Sequence, residues 1–135
     1  MTQEEKMLLI KDLSARLPYA VTVEHTSGFR GTLHDITVHH MYDNNDNIHD
    51  AICYTDFFGD EDSIYIEYFK PYLFPLSSMT DKQLPYYITT LKYSEETRGM
   101  VETLNSFDWL NKNHYDYRGL IEKGLAIDAT DLGIY

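Results

Sequence analysis

A chain of 135 residues fits a single domain, because domains usually run to roughly 100–200 residues. Hydrophobic residues at 43% and aromatics at 14% exclude a disordered chain, and the single Cys excludes a disulfide framework or a multi-thiolate zinc site. Net charge is −11 and unevenly placed: between Gly31 and Phe69 nine acids meet no Lys or Arg. So one-sided a field repels phosphates and anionic lipid, which disfavours direct nucleic-acid binding and favours a basic partner or a merely solubilising face.

In chain order, Thr2 and Glu5 form a capping-box pattern ahead of Leu9, Ile10, Leu13 and Leu17 at helical spacing. A helix over residues 3–15 is predicted, stopped by Pro18. From Tyr19 to His25 the period changes to two, and Thr26-Ser27-Gly28 turns the chain into a second strand over residues 29–39. After the polar Met41–Asn47 loop, a third strand is predicted over 48–58 and a fourth over 63–69, where SIYIEYF alternates. KPYLFPLSSMT holds Pro71 and Pro75 and reads as neither regular helix nor central strand.

A short helix is expected from about Asp81 and the longest helix over 95–112, with Met100, Leu104, Phe107 and Trp109 on its apolar face. Asp116 is expected to cap a last helix over 118–123, closed by Gly124, before a short strand over 125–128. The fold class is α+β: an N-terminal helix, a four-stranded antiparallel meander as open sheet or small SH3-like barrel, and C-terminal helices. The expected core is Leu13, Val21, Val23, Ile64, Ile66, Leu104, Trp109 and Ile121.

LSARLPYAVTV, KPYLFPLSSMT and FDWLNKNHYDYRGLIEKGLAIDA together resemble a group of small proteins of Bacteroidales phages and prophages. The match runs over Lys70–Leu73, Pro75 and Ser77–Thr80, then over Asp108–Asn111, Asp116–Ile121 and Lys123–Leu125. Ala20 stands where that group usually has Gly, and Phe74 where it has a basic residue. The resemblance implies an origin in a mobile element of a Bacteroidales host and no particular chemistry.

Two surfaces are candidates for function. One is an acidic partner-binding face carrying Asp43, Asp46, Asp50, Asp60, Glu61 and Asp62. The other is a ligand site in which Lys70, Tyr72, Ser77 and Ser78 meet Tyr117 and Arg118: Arg forks onto a phosphate while Tyr stacks on a base. Its structural alternative is that Arg118 pairs with Asp108 or Asp116 and pins the C-terminal helices.

The Asp43-x-Asn45-x-Asn47 start of a calcium loop fails at Ile48 and Tyr54. His34, His39, His40 and His49 read as solvated imidazoles, because consecutive strand residues face opposite ways unless a bulge intervenes. Cys53 reads as a small buried hydrophobe, and His114 with Asp116 as local capping. The expectation is a cytoplasmic, non-enzymatic protein without catalytic residues, metal, cofactor or membrane span. Its expected partner is a host protein, with antagonism of a host defence or nucleic-acid enzyme as the sharper form of that expectation. A nucleotide-sequestering protein is the alternative, and a small hydrolase the second alternative.

Overall fold

The computed structural model describes residues 1–42, 48–55, 62–79 and 100–135. The capping box forms: the Glu5 N–H donates to Thr2 Oγ1 at 3.1 Å, and the Glu5 carboxylate accepts from the Thr2 N–H. It starts α1 (Gln3–Arg16), which buries Leu9, Ile10, Asp12, Leu13 and Arg16. Pro18 ends the helix in a 3₁₀ turn, Leu17–Tyr19, and Ala20 then takes a left-handed φ of 53°. That conformation is one glycine adopts without strain, and it turns the chain into the sheet.

β1 (Thr22–His25), β2 (Arg30–Tyr42), β3 (Ile48–Thr55) and β4 (Asp62–Tyr65) form the expected antiparallel meander. The sheet is open and mixed, not a barrel. Its order is β4-β3-β2-β1-β5-β6, where β5 is Phe69–Pro75 and β6 is Tyr115–Asp116. β6 and β7 (Ile127–Asp128) both pair with β5 in parallel. Two register shifts in β2 fall at His34 and between Val38 and Met41, which brackets His39 and His40. Each is an extra residue that bends the strand.

Two expectations around β5 are corrected. The alternating stretch SIYIEYF is not one strand: β4 stops at Tyr65, and Ile66–Tyr68 form a 3₁₀ turn that buries Ile66. The Pro-rich stretch, in turn, is a central strand. The Thr26 N–H donates to the Tyr68 carbonyl at 2.8 Å and sets the phase of the β1–β5 ladder. Glu24 with Lys70 is then a hydrogen-bonded pair and Val23 with Pro71 a non-hydrogen-bonded one. Pro71 therefore withholds no donor from β1. On the other side, pairing to β7 begins only at Tyr72.

α2 (Met100–Lys112) is the described part of the predicted long helix, while the short helix from Asp81 and the end of the third strand beyond Thr55 lie outside the described residues. No helix forms over 118–123. The Asp116 carboxylate accepts from the Leu120 and Ile121 N–H groups at 2.9 Å each, capping a single turn. Leu125 N–H to Leu120 C=O and Gly124 N–H to Ile121 C=O close that turn, with Gly124 at φ 73°. This is a Schellman closure with too few residues before it to make a helix.

The core gathers Leu9, Leu13, Val21, Val23, Leu33, Cys53, Ile66, Phe69, Leu73 and Leu120. Ile121 packs against it only partly buried, and Ile64 and Leu104 have side chains outside the described set. Trp109 is half-buried, with its ring stacked on Tyr115 at 5.7 Å and 15°. Trp109→Ala is accordingly expected to cost about 1–3 kcal/mol in urea unfolding, below the 3–5 typical of a fully packed Trp. A larger loss would place Trp109 in the core.

Candidate functional site

The residues expected to hold a ligand divide among three environments. Lys70 is exposed and lines a groove with Glu24, His25, Thr26 and Glu67. Tyr72 is 1% exposed, and its hydroxyl donates to Glu24 while accepting from Arg30 Nε at 2.9 Å. Ser77 and Tyr117 share a second groove with Pro75, Asp116 and Glu122, so the Pro-rich segment and the last turn do meet. Among the described residues lining that groove there is no Lys or Arg. Ser78 Oγ donates to the Pro75 carbonyl at 2.7 Å.

Arg118 turns the other way. Its Nε lies 3.5 Å from Asp12 Oδ1, so its ion-pair partner is on α1 and is neither Asp108 nor Asp116. This contact belongs to a cluster that sequence reasoning missed. Asp12 and Arg16, both 0% exposed, form a two-pronged pair: Arg16 Nε to Asp12 Oδ2 at 2.7 Å and Arg16 Nη2 to Asp12 Oδ1 at 3.0 Å. Nη2 also donates to the Tyr115 carbonyl at 2.7 Å, while Nη1 has no hydrogen-bond partner among the described residues. The Arg16 and Arg118 guanidinium carbons each lie 5.2 Å from the centroid of the Tyr117 ring. The cluster ties α1 to the β6 segment. A signal existed, since positions 12 and 16 share the helical stripe of Leu9 and Leu13, but the partners near residue 115 left none.

The second missed feature is aromatic. His114 follows α2 with φ 62°, the left-handed position that ends helices and that Gly or Asn normally fills. Its ring lies flat on Tyr135, 3.6 Å between centroids at 7°, and Phe74 approaches Tyr135 at 5.8 Å. The Tyr135 hydroxyl accepts from the Thr22 N–H at 2.9 Å and donates to the Tyr72 carbonyl at 2.8 Å. Burial, and after it the Arg16 charge, lowers the His114 pKa to about 4, and burial raises that of Tyr135 to about 12. Both groups are neutral at pH 7.

Of the acidic face, Asp43, Asp46, Asp60 and Glu61 lie outside the described residues, and Asp50 and Asp62 are placed by backbone alone, in β3 and at the first residue of β4. Asp35 and Val38 are exposed on β2. Burial, with Glu67 and Asp35 nearby, pushes the Cys53 thiol up to about 12, which leaves no thiolate for nucleophilic chemistry. Among the described residues no group of three His, Cys, Asp or Glu is placed to hold a metal, and no helix is long and apolar enough to cross a membrane. No family model matches the chain, and searches of curated proteins and of solved structures find no match either.

Proposed function

We propose that this chain is a non-enzymatic binding protein that engages a basic host macromolecule through the β2–β4 limb of its sheet. The observation that carries the reading is the coincidence of charge and topology. The acidic stretch from Gly31 to Phe69, which contains no Lys or Arg and in which Glu67 pairs with Lys6 of α1 at 2.9 Å, supplies all but the first residue of β2 and the whole of β3 and β4, which lie side by side at one end of the sheet. β1 and β5, which bury Val23, Phe69, Tyr72 and Leu73, stand toward the other end of that strand order. A one-signed surface of this kind steers an oppositely charged partner and sets its approach. The basic groove of a nucleic-acid enzyme or defence protein has the matching chemistry. The resemblance to Bacteroidales phage and prophage proteins supports such a host partner, and the left-handed φ of Ala20 falls where that group usually has Gly.

The nucleotide-site alternative has less support. Lys70 and Ser77 line different grooves, and Arg118 faces Asp12.

The test is capture of a host protein by the chain and by a variant with Asp60, Glu61 and Asp62 reversed to Lys. Binding is expected to weaken as salt rises, since exposed charges are screened beyond about 8 Å at physiological ionic strength. The reversed chain is expected to lose binding while its melting free energy moves by less than about 0.5 kcal/mol. Binding indifferent to both salt and charge reversal would overturn the proposal.

A further inference from the structure

On the rung of the β1–β5 ladder beyond Glu24 and Lys70, the Thr22 N–H and the Tyr72 carbonyl are joined through a side chain. The Tyr135 hydroxyl stands between them, accepting from the Thr22 N–H and donating to the Tyr72 carbonyl. A backbone donor and a backbone acceptor thus face one oxygen atom. Beside them stand a flat imidazole face and the Phe74 ring. Together they make a slot for a planar ring bearing a hydroxyl, and Tyr135 fills it.

The occupant is lightly held. Tyr135 keeps 44% of its surface exposed although its hydroxyl end is engaged. The residues leading to it, Thr130 to Gly133, are exposed, and Gly133 has φ 67°. The frame, by contrast, is fixed. Tyr72 is buried, and the His114 carbonyl accepts from the Phe74 N–H at 2.8 Å. His114 takes the left-handed conformation, which non-glycine residues adopt uncommonly although His is among those enriched there, and its buried Nδ1 has no hydrogen-bond partner among the described residues. A buried ring nitrogen without a partner beside a flat contact is a feature of binding sites as well as of packing.

We infer that the slot framed by His114, Phe74, the Thr22 N–H and the Tyr72 carbonyl is a binding site for a small phenolic ligand, which enters by exchange with Tyr135. The ring stacks on His114, and its hydroxyl takes over both backbone hydrogen bonds. The unfilled state is never required to last, since ligand and Tyr135 make equivalent contacts.

The experiment titrates p-cresol into the full chain and into Tyr135→Ala, followed by two-dimensional NMR of the backbone amides. In Tyr135→Ala, p-cresol is expected to bind at one site and shift the Thr22 amide. Toluene, lacking the hydroxyl, and 4-methylcyclohexanol, lacking the flat ring, are expected to bind roughly tenfold more weakly or worse. His114→Asn in the same background keeps the left-handed backbone, removes the ring, and is expected to weaken p-cresol roughly two- to tenfold. In the full chain p-cresol is expected to release Tyr135 and shift the same amides. Its apparent affinity there is reduced by the fraction of time the slot is vacant.

Should p-cresol bind Tyr135→Ala but leave the full chain unshifted at saturating concentration, Tyr135 is a permanent structural staple and the inference fails. Toluene binding as tightly as p-cresol would also defeat it, by reducing the slot to an apolar hole. If Tyr135→Ala does not fold, the full chain decides alone, through release of Tyr135 by p-cresol and not by toluene.

Discussion

Arg16→Met is expected to lower the unfolding free energy by about 3–5 kcal/mol, the cost of removing one partner from a buried ion pair. The size follows from what is left behind. Asp12 is 0% exposed and accepts from Arg16 at 2.7 and 3.0 Å; without that guanidinium, the cation left beside it among the described residues is Arg118, whose Nε lies at 3.5 Å. The Tyr115 carbonyl also loses its bond from Nη2, at a residue only 3% exposed. Water cannot replace these contacts without opening the α1 packing around Leu9 and Leu13.

Asp12→Asn should be comparably harmful, because it leaves Arg16 buried with its charge uncompensated. The double change Asp12→Leu with Arg16→Met should recover much of either loss, since a buried pair often stabilises little more than apolar groups of similar size. Urea denaturation of the three variants measures this directly. Single variants within about 1 kcal/mol of the parent would mean that water reaches the pair, contrary to its burial.

Much of the architecture was legible because local chemistry and tertiary structure agree there. The capping box at Thr2 and Glu5, the stop at Pro18 and the change of period after it are decided within a few residues. The errors around β5 have a different origin. Ile64 and Ile66 alternate with polar neighbours as a strand would, yet the chain must turn at Ile66–Tyr68 for β5 to reach β1. The rule against proline in a central strand assumes that the missing N–H belongs to the ladder. At Pro71 the register points it away from β1, and register is a property of two distant segments.

The same distinction governs the site. Lys70, Ser77 and Arg118 were grouped because their chemistry matches, but the fold sends Arg118 to Asp12, more than a hundred residues earlier. Asp12 and Arg16 could have been suspected from their place on the Leu9–Leu13 stripe. Nothing in the local sequence shows that they tie to Tyr115. His114 is harder still: it occupies a helix-ending position where glycine is the usual signal, and here no glycine marks it.

Its neutrality gives the chain a measurable response to acid. Burial first, and the Arg16 charge second, lower the His114 pKa from 6.5 to about 4, so the charged form is disfavoured in the fold. In the unfolded chain the imidazole titrates near its ordinary 6.5. Above that pH neither state binds the proton, and the His114 contribution to stability is fully present. As pH falls from about 6.5 toward 4 the unfolded state takes up the proton and the folded state does not, so stability is lost through this window. Below about 4 both states are protonated and the loss levels off. Carboxylates titrate in the lower part of the same range, so the informative quantity is the difference between two chains. His114→Asn keeps the left-handed backbone and cannot titrate. Urea denaturation of both chains between pH 7.5 and pH 4 should show the parent losing stability faster, with the gap growing most between pH 6 and pH 4.5. Proton NMR of the imidazole supplies an independent reading: its resonances should hold their neutral positions down to about pH 5. An imidazole that titrates near 6.5 in the folded chain would show that His114 is solvated and its stack on Tyr135 open, and the acid response would vanish with it.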